Sequence, residues 1–193
     1  MKNADDVPVM AFETRHDWSA WLEAHHAEPS GLWLKIAKKE AGIPSVTYAE
    51  ALEIALCYGW IDGQKRAFDD RYWLQRFTPR RPKSIWSRVN RDKATALIAE
   101  GKMQPAGLRQ VELAQRDGRW DAAYSSQRTI TVPDDFQIAL DTNPEAREFF
   151  GTLDSANRYA ILWRIQTAKK PETRAARITT FIEMLSKGEK IHP

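Results

Sequence analysis

Residues 59–91 hold the side chains of this chain best suited to gripping an anion. The stretch opens with Gly59-Trp60-Ile61-Asp62-Gly63-Gln64 and runs on through Trp73, Arg76, Thr78, Arg80, Lys83, Ser84 and Trp86. Between Arg76 and Lys93 stand seven Lys/Arg residues and one acid, Asp92, which leaves the run at +6. Arginine offers a planar fork of N–H donors that matches carboxylate and phosphate. Pro79 and Pro82 keep the backbone extended, so neighbouring cations point different ways. Trp60, Trp73 and Trp86 can stack on a flat ligand or on a guanidinium. Asp62 and Gln64, at a turn beside a glycine, can bond a ligand hydroxyl or amine where the backbone comes close. Ser84 at the start of a helix would add backbone N–H groups for the anion. The expectation is a cleft between a helix and a β-hairpin, rimmed by these ten residues. A packing role competes at each position: tryptophans in the core, and cations paired with Asp69, Asp70 or Glu50 or facing water.

The remaining chemistry is sparse. A second basic run, Arg158, Arg164, Lys169, Lys170, Arg174 and Arg177 against Glu172, could follow a phosphate backbone. More often such a run is a solvated helix face. The single cysteine, Cys57, excludes an internal disulfide and a cysteine-cluster metal site. It sits in an apolar segment, as an inert buried thiol does. His25 and His26 are adjacent, so on a helix they diverge by roughly 100° and do not chelate one metal. No HExxH, phosphate-binding loop, GxGxxG or GxSxG motif occurs. No cofactor and no catalytic role are expected. An enzyme using Asp62 as acid or base and Arg76 or Arg80 as an anion clamp stays open as a lesser reading.

The elements that must hold these groups follow from spacing. Trp18, Trp21, Leu22 and His25 share one helical face over 15–27, behind a Thr14/Asp17 capping pair. Residues 32–37 read as a strand. Thr47 and Glu50 cap a helix over about 48–60 that is apolar almost all round, hence central. Asp62-Gly63 reads as a turn, followed by strands over 64–68 and 72–78 joined at Asp69-Asp70-Arg71. Helices are expected from Ser84 to Ala99 and from Pro105 to Asp117. From Pro133 onward the pattern is helical only, with Pro171 at a first helical position. The fold class is α+β: a small antiparallel sheet of about three strands packed by helices, then an all-helical C-terminal third. The division expected is an α+β core over 1–128 and a helical region over 129–193, possible also as one continuous domain.

Length and composition agree with a folded globule. The chain has 193 residues, 42% of them hydrophobic, and eight tryptophans. Its net charge of +3 permits anionic partners without demanding them. Residues 1–10 read as a loose leader without an export signal, and no apolar run is long enough to span a membrane. A reduced, cytoplasmic setting is the expectation.

Several stretches carry a resemblance: FETRHDWSAWLEAHH, GLWLKIAKKEAGIPSVTYAEALEIALCYGWIDGQKR, YWLQRFTPRRPKSIWSRVNRDKATALIAEGKMQPAGL, DGRWDAAY and RYAILWRIQTAKKPETRAARI. Together they resemble the bacterial YdeI/OmpD-associated, or bacteriocin-protection, proteins, from Phe12 to Pro193. The resemblance implies a part in resistance to bacteriocins or cationic antimicrobial peptides, and an association with an outer-membrane porin. It supplies no catalytic motif. Combined with the residues, it predicts a non-enzymatic cytoplasmic stress or resistance protein that binds a small anionic ligand or a protein partner. Nucleic-acid binding is the alternative, and the oligomeric state is left open.

Overall fold

The computed structural model describes residues 7–193. The described residues form two compact units, one of residues 7–85 with Asn90–Asp121, the other of Trp86–Val89 with Ala122–Pro193.

The first unit is built on a sheet of four strands: β1 (Val9–Ala11), β2 (Leu32–Ala37), β3 (Trp60–Ala67) and β4 (Tyr72–Pro79), in the order β1-β2-β4-β3. β4 pairs antiparallel with both neighbours, and β1 runs parallel to β2. The α+β class holds, with one strand more than expected. The extra strand is β1, in the segment read as a loose leader, of which residues 1–6 lie outside the described residues. Three residues are too few to show alternation, so β1 is specified by pairing with β2 and not by its own pattern.

Four helices complete this unit: α1 (Arg15–His25), α2 (Tyr48–Cys57), α3 (Arg88–Ala99), whose Asn90–Ala99 part belongs here, and α4 (Pro105–Arg116). Both expected capping boxes form, Thr14 with Asp17 and Thr47 with Glu50. α2 ends sooner than expected, because Gly59 at φ +76° turns the chain into β3. α4 lies so close to the end of α2 that a Cβ on Gly107 would stand 2.2 Å from the Cys57 carbonyl oxygen.

α1 and α2 cover one face of the sheet. Trp18 stacks on Trp21 at 5.6 Å, meets Phe77 at 5.7 Å, and donates its indole N–H to the Ala51 carbonyl at 3.0 Å. Trp60, fully buried, stands edge-on to Trp21 at 5.8 Å and donates to the His26 carbonyl at 2.8 Å. Large aromatics can be buried here because each indole N–H finds a carbonyl.

In the second unit the helices α5 (Asp134–Asp141), α6 (Pro144–Thr152), α7 (Ser155–Gln166) and α8 (Pro171–Ser186) follow the expected pattern. Asp154 caps α7 by accepting from the Asn157 N–H at 2.7 Å. The core gathers Phe136, Leu140, Phe150, Ile161, Ile165, Phe181 and Leu185. No helix among the described residues is long and apolar enough to cross a membrane.

Candidate functional site

The strand period sorts the expected site residues onto opposite faces of the sheet. Across β2, β4 and β3, Leu32, Phe77 and Asp62 are register partners, and so are Leu34, Gln75 and Lys65. Their face is the one the helices cover. Trp33 pairs with Arg76, Lys35 with Leu74, and Leu74 with Arg66, on the other face.

On the helix-covered face, Trp60 belongs to the core. Asp62 accepts from the Tyr48 hydroxyl at 2.8 Å and from Asn90 Nδ2 at 3.5 Å. It is thus a joint between β3, α2 and α3. The same contact, with burial as the larger cause, raises the Tyr48 phenol far above its ordinary pKa. Trp73, half-buried, lies 6.1 Å from the Tyr48 ring and carries Lys65 Nζ 4.3 Å from its own centroid.

Asp62-Gly63 is no turn. β3 passes straight through it, and the register shifts between Asp62 and Lys65. Gly63 and Gln64 together oppose Arg76, a β-bulge. The buried Gln75 side chain satisfies the bulge, donating to the Gly63 carbonyl at 2.9 Å and the Gln64 carbonyl at 3.3 Å. A bulge inserts one residue, so it inverts which residues face which way. In regular pairing Arg66 would share the Asp62 face. The bulge turns Arg66 onto the opposite face, beside Trp33.

There the cations and aromatics interleave. The Arg66 guanidinium carbon sits 4.1 Å from the Trp33 ring centroid, and that of Arg76 sits 5.7 Å from it. Lys35 Nζ lies 4.3 Å from the Phe68 ring and 5.6 Å from Tyr72. Trp33 is only 8% exposed. Long basic side chains lay their stems across apolar surface while their charged ends stay wet. Arg76 donates to the Ser30 carbonyl and, at 3.3 Å, to that of Phe77. Burial, with Arg81 nearby, lowers its pKa from the ordinary arginine value. Arg66 is exposed, and among the described residues it makes no hydrogen bond and no ion pair.

The other expected members lie apart from this face. Thr78 shares its parity but is half-buried, against Gly31. Arg80 is 5% exposed and donates to the Ile85 carbonyl at 3.3 Å, so its charge holds the chain's own backbone. Lys83 is exposed in a turn. Ser84 does not open a helix: its hydroxyl accepts from the Arg81 N–H at 2.9 Å, and α3 begins only at Arg88. The expected helix-start seat for an anion is therefore absent at Ser84. Its side chain closes the Arg81 turn instead, the local bond that serine makes in competition with helix capping. Trp86, 1% exposed, belongs to the second unit, where its carbonyl accepts from the Tyr124 N–H at 3.0 Å. Of the ten residues, the structure sets Asp62 and Trp73 on one face, each against Tyr48, and Arg76 on the other. Trp33, Lys35 and Arg66 were missed. The signal for the first two was the alternation Leu32/Leu34/Ile36 against Trp33/Lys35/Ala37 within β2.

The second basic run is largely consumed by its own unit. Arg174 binds Asp135 at 2.6 and 2.8 Å, and the pair holds the Asp135 carboxyl below its usual range. Arg164 donates to the Ala160 carbonyl, Arg177 to that of Arg164, and Arg158 lies over the Phe150 ring. That leaves Lys169 and Lys170 exposed. Among the described residues no three His, Cys, Asp or Glu side chains gather as metal ligands would.

Residues 10–110, just over half of the chain, match a domain of unknown function (DUF8412). Residues 129–188 match the family described as Bacteriocin-protection, YdeI or OmpD-Associated. The resemblance read along nearly the whole sequence thus divides between two families, the named one over the helical part. No curated protein and no solved structure matches the chain. The chain belongs to the family of that domain of unknown function, and its helical C-terminal part is of the bacteriocin-protection, YdeI or OmpD-associated kind.

Proposed function

We propose that this is a non-enzymatic binding protein of the bacteriocin-protection type, acting in the cytoplasm, whose N-terminal unit holds an acidic polypeptide segment against the Trp33 face of its sheet. The observation that carries the reading is Arg66: a guanidinium placed over a tryptophan by a β-bulge, with its N–H donors unspent inside the described chain. Arg76 on the neighbouring strand β4 and Lys35 one strand further, on β2, share its face. Cations drawn from three strands, about 4.8 Å apart, suit a run of carboxylates along an extended chain better than one compact anion. The guanidinium fork matches each carboxylate, and the ring beneath holds it in place. The single free thiol, Cys57, favours a reduced compartment. A porin partner, which the family's description raises, would have to meet such a protein before export.

Calorimetric titration with poly-L-glutamate tests this, using poly-L-lysine as control. Wild-type protein should bind the polyanion alone, more weakly as salt rises, since exposed charges are screened beyond a Debye length of about 8–10 Å. The Arg66→Ala/Arg76→Ala variant should lose at least about tenfold in affinity, roughly 1.4 kcal/mol. Unchanged affinity in that variant overturns the proposal.

A further inference from the structure

A second recess lies among the helices of the first unit and plays no part in the reading above. It is a cavity of about 470 Å³ between α1, α2 and the segment after α3. Small-molecule sites fall in the range of about 300–1,000 Å³, with mainly apolar walls and a few directed polar groups. Its volume falls in that range, and its wall is about as polar as apolar, the mixture an amphipathic ligand needs. α2 presents Ile54 and the buried Cys57 thiol, and Leu97 adds a third apolar surface from α3. Ser19 from α1 and Tyr58 at the end of α2 join hydroxyls at 3.3 Å, forming a polar wall. Arg15 of α1 and Lys102 stand at the mouth.

The charges are unequal. The acid in the lining, Glu53, is already neutralised by Lys93 at 3.0 Å. Lys102 is paired with Glu100 at 2.6 Å, but that pair is more than half exposed, where ion pairs contribute only about 0–1 kcal/mol and exchange readily. Arg15 is exposed, and it makes no hydrogen bond or ion pair among the described residues. The thiol reports the same field. Burial, then Glu53, push its pKa up to about 11, against Lys102 and Arg15, which pull it down. A thiol so held is an apolar surface, not a nucleophile.

We infer that this cavity is a binding site for a small amphipathic organic acid, its hydrocarbon body against Ile54, Leu97 and Cys57 and its carboxylate toward Arg15 and Lys102. A hydroxyl or keto group on the body would meet the Ser19–Tyr58 pair. The site is independent of the Trp33 face, so either can stand without the other.

Octanoate serves as the probe, with octanol and octylamine as neutral and cationic controls. Calorimetry measures affinity, and the methyl NMR resonances of Ile54 and Leu97 report occupancy of the cavity. The expected result is octanoate binding at least tenfold tighter than either control, with saturable shifts of the Ile54 and Leu97 methyls. Arg15→Gln/Lys102→Gln should erase the preference over octanol while Arg66→Ala/Arg76→Ala leaves it intact. Absence of octanoate binding, equal affinity for all three probes, or binding unaffected by Arg15→Gln/Lys102→Gln would each overturn the assignment.

Discussion

Trp60 and Trp33 lie in the same small sheet and have opposite fates. Trp60 points to the helices, where Trp18 and Trp21 stand edge-on to it and its N–H reaches the His26 carbonyl. Trp33 points the other way and is covered by side chains of Arg66 and Arg76. One ring is sealed by hydrocarbon and a satisfied hydrogen bond, the other by two guanidinium groups, Arg76 bound to the Ser30 and Phe77 carbonyls and Arg66 exposed. Which face of the sheet a tryptophan takes is therefore decided here by strand parity. The Gly63–Gln64 bulge resets that parity for β3.

The largest expected effect is at the sealed face. Trp60→Ala should cost about 3–5 kcal/mol in urea unfolding, through cavity formation and an orphaned carbonyl. Trp33→Ala should cost clearly less, because its covering side chains can collapse or hydrate. Equal losses would erase the distinction between the faces. Gly107→Ala should follow, at about 1–3 kcal/mol of overpacking, since the new Cβ would meet the Cys57 carbonyl. Tyr48→Phe removes one hydrogen bond to Asp62 and should cost about 0.5–1.5 kcal/mol. Arg66→Ala, on the open face, should change stability by no more than about 1 kcal/mol, while weakening polyglutamate binding.

The C-terminal unit adds a pH-dependent contrast. Asp135, paired with Arg174, has a folded-state pKa below its unfolded one. Its contribution is complete above the unfolded carboxylate value, about 3.9, and disappears as pH falls through the lower folded value. The pair is partly exposed, so the contribution is at most about 1 kcal/mol. Acid unfolding of wild type and Arg174→Ala should therefore differ near neutrality and converge at the lowest pH.

Helices were legible because their ends are marked: Thr14/Asp17, Thr47/Glu50, Asp154 and Pro171 all appear where caps and first turns form. The central apolar helix and the hairpin at Asp69–Arg71 were legible for similar local reasons. The candidate site was only partly so. Reading Asp62-Gly63 as a turn hid the bulge, because a glycine after an aspartate marks either one. With the parity of β3 hidden, Arg66 had no visible partner in Trp33, more than thirty residues away. Arg80 and Trp86 looked like members of a basic aromatic surface, yet their burial depends on packing that no local pattern records.

The central claim is that recognition occurs on the face opposite the helices. Two-dimensional NMR of side-chain N–H groups during polyglutamate titration tests it most directly. The indole resonance of Trp33 and the Nε–H resonances of Arg66 and Arg76 should shift saturably, while the indoles of Trp60 and Trp73 stay in place. Shifts centred on Trp73, or a Trp33 indole that does not move as polyglutamate binds, would contradict the account.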